Sequence, residues 1–218
     1  AAAANMPEFY ADSLANVIQK QRVSPELLGR RHRPRLIVDP DRLTHWRRYL
    51  KATFGDRPCL GIVWRSALRN HKRDKQYVTP SQLIAALPTG VGLVNLQYSY
   101  GAEEVAAFST LGARYDFQFE TPPGIDLKDD LDDLFGLIQC LDGVVGPLIS
   151  VPWMAAAVGT PAFVIRTEAK GYIWQQLNTP HVPWAPSMRV FFRSPTAPWE
   201  PVLGTVKQAL IREFFSRH

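Results

Sequence analysis

Cys59-Leu-Gly-Ile-Val-Trp64, followed by Arg65-Ser-Ala-Leu-Arg-Asn-His-Lys-Arg-Asp-Lys75, decides the fold class. Six apolar or small residues without an alternating polar face read as a strand buried on both sides. The polar stretch behind them cannot be core and must lie at the strand's carboxyl end. Working outward, short apolar runs and helical periods take turns. Thr79-Pro80 opens a helix through Leu87, Val91 to Gln97 is a second strand, and Ala102 to Leu111 is helical. Arg114 to Phe119 reads as a weaker strand, Leu131 to Leu141 as a helix, and Gly143 to Val145 as a short strand. A helix over Val151 to Val158, closed by Gly159, leads to a strand at Pro161 to Ile165. Tyr172 to Leu177 reads as a helix, Met188 to Phe192 as the last strand, and Trp199 to Phe215 as the last helix. Strands separated by helices imply parallel pairing through right-handed crossovers. The expected fold is α/β, a Rossmann-like doubly wound parallel sheet of about six strands with a helical N-terminal extension.

Upstream of Pro58 the pattern is different, which divides the chain into a helical connector over 1–57, a remnant of a preceding domain, and a Rossmann-like α/β domain over 58–218. Ser13 to Gln21 and Ser24 to Gly29 read as short helices, and Arg30 to Asp39 as a basic extended stretch. Asp39-Pro40-Asp41 opens a longer helix in which Leu43, Trp46, Tyr49, Leu50 and Phe54 recur at three-and-four spacing, with Gly55 as its stop. Ala1 to Asn5 has no basic segment before an apolar run and does not read as a signal peptide.

With 218 residues, 46% of them hydrophobic and 21% charged, the chain can bury a core and is not a disordered segment. No run of about 18 apolar residues exists, so no membrane-spanning helix is expected. The net charge of +5 is modest, but its distribution is uneven. Seven arginines lie between Arg30 and Arg48, five basic residues between Arg65 and Lys75, and five aspartates between Asp126 and Asp133. Such local basic patches suit a compact anion such as a diphosphate better than a phosphate polymer, so nucleic acid is not the expected partner. Cys59 and Cys140 are the only cysteines and sit among apolar neighbours, which fits buried thiols in a reducing cytoplasm. The five histidines show no i, i+4 pairing, and no protein-held metal or cofactor is expected. There is no GxGxxG and no Walker loop, so dehydrogenase and P-loop NTPase readings lose support.

In an open parallel sheet a ligand sits outside the carboxyl ends of the strands, where the strand order reverses. The informative residues therefore follow strands: Arg65 to Tyr77, Tyr98 to Gly101, Gly146 to Pro152 and Arg166 to Gly171, and two of these stretches carry the chemistry. The loop from Arg65 offers Arg65, Ser66, Arg69, Lys72, Arg73 and Lys75 to a diphosphate. Gly146-Pro-Leu-Ile-Ser150 leads into a helix of small residues whose free N–H groups and dipole favour an anion. Asp129, Asp130, Asp132 and Asp133 precede a helix and are read as dipole-stabilising residues rather than a catalytic carboxylate pair.

Taken in order, several segments resemble the C-terminal half of GT-B glycosyltransferases. The resemblance is to the bacterial tetratricopeptide-repeat type, related to O-GlcNAc transferases and more distantly to heptosyltransferases. It rests on Asp39-Pro-Asp-Arg-Leu-Thr-His-Trp46, Leu60-Gly-Ile-Val-Trp-Arg-Ser66, Leu93-Val-Asn-Leu-Gln97, Asp130 to Asp142, Ala155 to Pro161, and above all Pro183-Trp-Ala-Pro-Ser-Met-Arg-Val-Phe191 with Trp199. The resemblance implies a nucleotide-sugar donor, a metal-free inverting transfer, and an acceptor, protein or glycan, held by another domain or by helical repeats. It implies that Arg65, Ser66 and Lys75 face the diphosphate, that Gln97 lies near the base, and that Gly146 to Ser150 complete the phosphate cradle. The catalytic base is not in this chain on that reading. Relatives carry Asp-Thr and His where this chain has Leu148-Ile149 and Trp153. The alternative is therefore a non-catalytic interaction module with an eroded pocket.

Overall fold

The computed structural model describes residues 36–68, 70, 74–168 and 181–215. The helices expected over Ser13–Gln21, Ser24–Gly29 and Tyr172–Leu177 lie outside those residues, as do Arg30, Arg31, Arg33, Arg35, Arg69, His71, Lys72 and Arg73.

Seven strands form one sheet: β1 (Cys59–Ile62), β2 (Val91–Asn95), β3 (Phe117–Glu120), β4 (Gly143–Pro147), β5 (Ala162–Thr167), β6 (His181–Val182) and β7 (Ala185–Arg193). Their order across the sheet is β3-β2-β1-β4-β5-β7-β6, and every pairing is parallel except β6 with β7. The described helices are α1 (Pro40–Phe54), α2 (Pro80–Ala85), α3 (Ala102–Tyr115), α4 (Leu131–Gln139), α5 (Ser150–Val158) and α6 (Glu200–Phe214). The doubly wound α/β class expected from the sequence is the class observed.

The alternation along β5 shows why the helices divide into two layers. Ala162 and Val164 enter the core cluster that also holds Trp46, Leu50 and Phe54 of α1, Leu134 and Leu137 of α4, and Val151 and Ala155 of α5. Phe163 and Ile165 face the other way, into the cluster with Leu83 and Ile84 of α2, Phe108 of α3, and Val206 and Leu210 of α6. A strand with apolar residues on both faces needs cover on both, and crossover helices supply it. The α1 helix belongs to the first layer: Arg42 pairs with Asp133 of α4, and the Trp46 indole donates to the same carboxylate at 3.3 Å.

Local signals place the helix ends. Asp39 accepts the Asp41 N–H at 2.8 Å, and Thr79 and Gln82 form a reciprocal capping box with Pro80 at the first helical position. Gly159, at φ +86°, closes α5 in the left-handed conformation.

Two expectations need correcting. Arg114 does not begin a strand: α3 continues to Tyr115, turns at Asp116 (φ 49°), and β3 starts at Phe117. Leu111 and Tyr115 still fall on the face packed against the second cluster, and that burial extends the helix. The sheet also has a seventh, antiparallel strand, because the chain turns back at Pro183-Trp184 and pairs His181-Val182 with β7. Two residues are too few to show a period in sequence.

Candidate functional site

The strand order reverses between β1 and β4, so the crevice of this sheet opens above Ile62 and Pro147. A cavity of about 380 Å³ lies there, lined by Ser66, Gln76, Tyr77, Tyr98, Leu148, Ile149 and Ser150. Its walls come from three exits: the loop after β1, the turn after β2, and the turn into α5. A second cavity, of about 340 Å³, lies beside α1 and α4, lined by Leu36–Asp39, Arg42, Asp132 and Phe135.

Gly146 makes the reversal point possible. A Cβ there would stand 2.4 Å from the Val63 carbonyl oxygen and 2.4 Å from Val63 Cγ2. Without a side chain β4 lies against the end of β1, and the Val63 N–H donates to the Val145 carbonyl at 3.1 Å. Beyond it, Ile149 is the N-cap of α5 and offers no capping side chain. Pro152 has no N–H, and the Ile149 N–H is used by the Pro147 carbonyl at 2.8 Å. The N–H groups of Ser150 and Val151 therefore have no helical acceptor, at the positive end of the helix dipole. Ser150 is exposed and lines the cavity.

The loop leaving β1 is held rigidly from β2 and α3. Gln97 is 1% exposed, and its Oε1 accepts the N–H groups of both Trp64 and Arg65 at 3.2 Å. Its Nε2 donates to the Ser99 carbonyl at 3.2 Å, and its own N–H is held by Asn95 Oδ1 at 2.9 Å. Glu104 completes the brace. Its carboxylate accepts the Trp64 indole N–H at 2.8 Å, Arg65 Nε at 2.8 Å, Arg65 Nη2 at 2.5 Å and the Gly101 N–H at 2.9 Å. The Arg65 bond, with help from the Gly101 and Trp64 donors, drives the Glu104 carboxyl down to about 2 against the opposing effect of burial. The same contact raises the Arg65 guanidinium above its usual range.

Of the residues singled out from sequence, Ser66 and Ser150 line the same cavity. Ser66 Oγ accepts the Leu68 N–H at 3.2 Å and keeps its own O–H to donate. Gly146 is buried against Val63 and is not among the lining residues. Arg65 is turned onto Glu104 and does not line the cavity, and Gln97 has both ends of its amide engaged by the backbone. Lys75 is exposed and adjoins the lining residues Gln76 and Tyr77. The stretches Arg65 to Tyr77 and Tyr98 to Gly101 marked from sequence contain the lining residues Tyr77 and Tyr98, while Glu104 was missed. Position after the second strand marks Tyr98, whereas Glu104 reads as an ordinary first-turn acid. Among the described residues no group of three or more His, Cys, Asp or Glu is placed to hold a metal, and no helix is long and apolar enough to cross a membrane.

No family model matches the chain. It is 38% identical over 178 residues to Protein FlbA of Caulobacter vibrioides, a match covering 81% of this chain and 28% of that protein. The chain thus spans under a third of this relative's length. A glycosyl transferase family 9 structure from Veillonella parvula superposes with a TM-score of 0.50 at 9% identity, covering 82% of this chain and 51% of that one. The E. coli ADP-heptose lps heptosyltransferase II covers 83% of this chain and 54% of its own, with a TM-score of 0.48 at 18% identity. The fold is a Rossmann-like domain of the GT-B type. It spans about half of each of these glycosyltransferase structures.

Proposed function

We propose that this chain is the donor-binding domain of a glycosyltransferase, taking a nucleotide-sugar in the crevice between β1 and β4 for transfer to an acceptor. The observation that carries this reading is the cavity of about 380 Å³ at the strand-order reversal, bounded by the open start of α5. Free N–H groups at a helix start bind an oxyanion without a metal, and the dipole stabilises the charge that grows on a departing diphosphate. The Ser66 and Ser150 hydroxyls are donors to the phosphates on this reading, and Gly146 lets β4 lie against the end of β1. Tyr77 and Tyr98 offer aromatic faces to a base or sugar ring. Lys75 supplies mobile positive charge at the rim. Arg65 and Gln97 act on this reading by fixing the loop that carries Ser66. The acceptor, protein or glycan, is held by a second domain or by helical repeats of a longer cytoplasmic bacterial protein of the tetratricopeptide-repeat type, and the domain by itself is inactive or weak.

A second reading is favoured by two contacts. Arg65 is committed to Glu104, and Leu148 and Ile149 give the cavity an apolar wall. On that reading the pocket is eroded and the domain is a protein-interaction module. Titration with UDP, ADP, GDP and CDP separates the two. The donor reading expects a rise in melting temperature, weakened by Lys75→Ala and abolished by Ser150→Pro, which removes an N–H at the helix start. No shift at millimolar nucleotide with any of the four overturns it and leaves the module.

A further inference from the structure

Arg193 closes β7 at the same edge of the sheet as the crevice, although it lies 118 residues beyond the loop it touches. Its guanidinium makes three kinds of contact at once. Nη1 donates to the Ala197 carbonyl at 2.6 Å, and Nη2 donates to Thr167 Oγ1 at 2.9 Å and to the Lys75 carbonyl at 3.1 Å. The group lies 4.1 Å from the centroid of the buried Trp199 ring, which fixes its plane. The backbone around it is tied as well, since the Glu168 N–H donates to the Arg193 carbonyl at 2.8 Å. One side chain thus joins the end of β5, the entry to α6 and the loop whose next two residues, Gln76 and Tyr77, line the cavity. The loop end is itself a closed turn, with the Tyr77 N–H on the Asp74 carbonyl at 3.2 Å. Anchoring Lys75 therefore sets where Gln76 and Tyr77 stand.

We infer that Arg193 is a positioning residue of the crevice: it holds the 74–77 wall against the β5–β7 end, while Gln97 and Glu104 hold Trp64 and Arg65 where the chain leaves β1. The inference rests on the donor-binding reading for its ligand and on the contacts above for its mechanism. A planar fork that engages two carbonyls and a hydroxyl cannot be reproduced by an ammonium, so lysine retains the charge but loses the geometry. A site whose wall is free to shift must order it on binding, which lowers affinity without removing any ligand contact.

The test compares wild type, Arg193→Lys, Thr167→Val and Phe214→Ala in two measurements: amide hydrogen exchange at 74–77 in the free protein, and titration with UDP, ADP, GDP and CDP. Phe214 packs near Gly143 at the opposite edge of the sheet and serves as the control for general destabilisation. Arg193→Lys should speed exchange at 74–77 at least tenfold and weaken nucleotide binding at least tenfold. Thr167→Val, which removes one contact and keeps the side-chain volume, should show the same changes at about threefold and stands in should Arg193→Lys not fold. Phe214→Ala should lower the melting temperature while leaving both readouts within twofold. If wild type binds and the Arg193 and Thr167 variants bind equally well, the positioning role is overturned and the donor reading stands. If wild type binds none of the four nucleotides, the donor reading fails, and unchanged exchange at 74–77 would show that the anchor fails independently.

Discussion

Glu104 grips Arg65 with both carboxylate oxygens, Oε1 on Nε at 2.8 Å and Oε2 on Nη2 at 2.5 Å, across 39 residues of sequence. The Arg65 side chain is thereby spent on fixing its own loop. An arginine that sequence offers as a ligand for phosphate serves here to orient the neighbouring Ser66 toward the cavity.

Acid should reveal that contact. The Glu104 carboxyl falls from an ordinary 4.5 to about 2 in the folded chain, and its side chain is 19% exposed. A depressed carboxylate contributes stability that is full above its unfolded value and is lost as pH falls from about 4.5 toward 2. Glu104→Gln should cost on the order of 2–3 kcal/mol at pH 7, and the difference from wild type should vanish near pH 2. Urea unfolding of both proteins across pH 2–7 measures it. A difference that stays constant with pH would rule out the charged contact as its source.

Gln97 predicts a stability effect that needs no ligand. Gln97→Ala leaves the buried Trp64 and Arg65 N–H groups without their acceptor, at about 1–3 kcal/mol for each donor. The expected loss is about 2–6 kcal/mol in nucleotide-free protein. A loss below about 0.5 kcal/mol in chemical denaturation would mean that those donors are solvated.

Two glycines should respond to alanine with opposite signs. Gly146→Ala drives a Cβ to within 2.4 Å of the Val63 carbonyl and should destabilise by about 1–3 kcal/mol or more. Gly204 lies in α6 with nothing within 4 Å of an added Cβ, and alanine there should stabilise by about 0.5–1 kcal/mol. Thermal melts of the two variants check both signs.

The thiols should be poor nucleophiles in the folded chain. Burial, reinforced by the Asp142 carboxylate, pushes the Cys59 thiol up to about 12, and burial raises Cys140 as well. Reaction with a disulfide reagent at pH 8 should be slow for both and become fast in guanidinium. Rapid native-state labelling of Cys59 would contradict its place in the core.

The sequence alone determined the class of fold and the edge of the sheet where a ligand can sit. Those follow from local properties: buried apolar runs, helical periods, caps at Asp39 and Thr79, and stops at Gly55 and Gly159. It also singled out Ser66, Gly146 and Ser150, because each directly follows or ends a strand at the reversal point. It could not assign partners. Glu104 to Arg65, Gln97 to Trp64 and Arg193 to Lys75 are pairs 39, 33 and 118 residues apart, and no period in the chain encodes them. Tertiary structure decided which cations and amides brace the crevice and which side chains face it. A long polar side chain takes whichever buried acceptor or donor the packed sheet brings within about 3 Å, because leaving that group unpaired costs more than any local preference supplies.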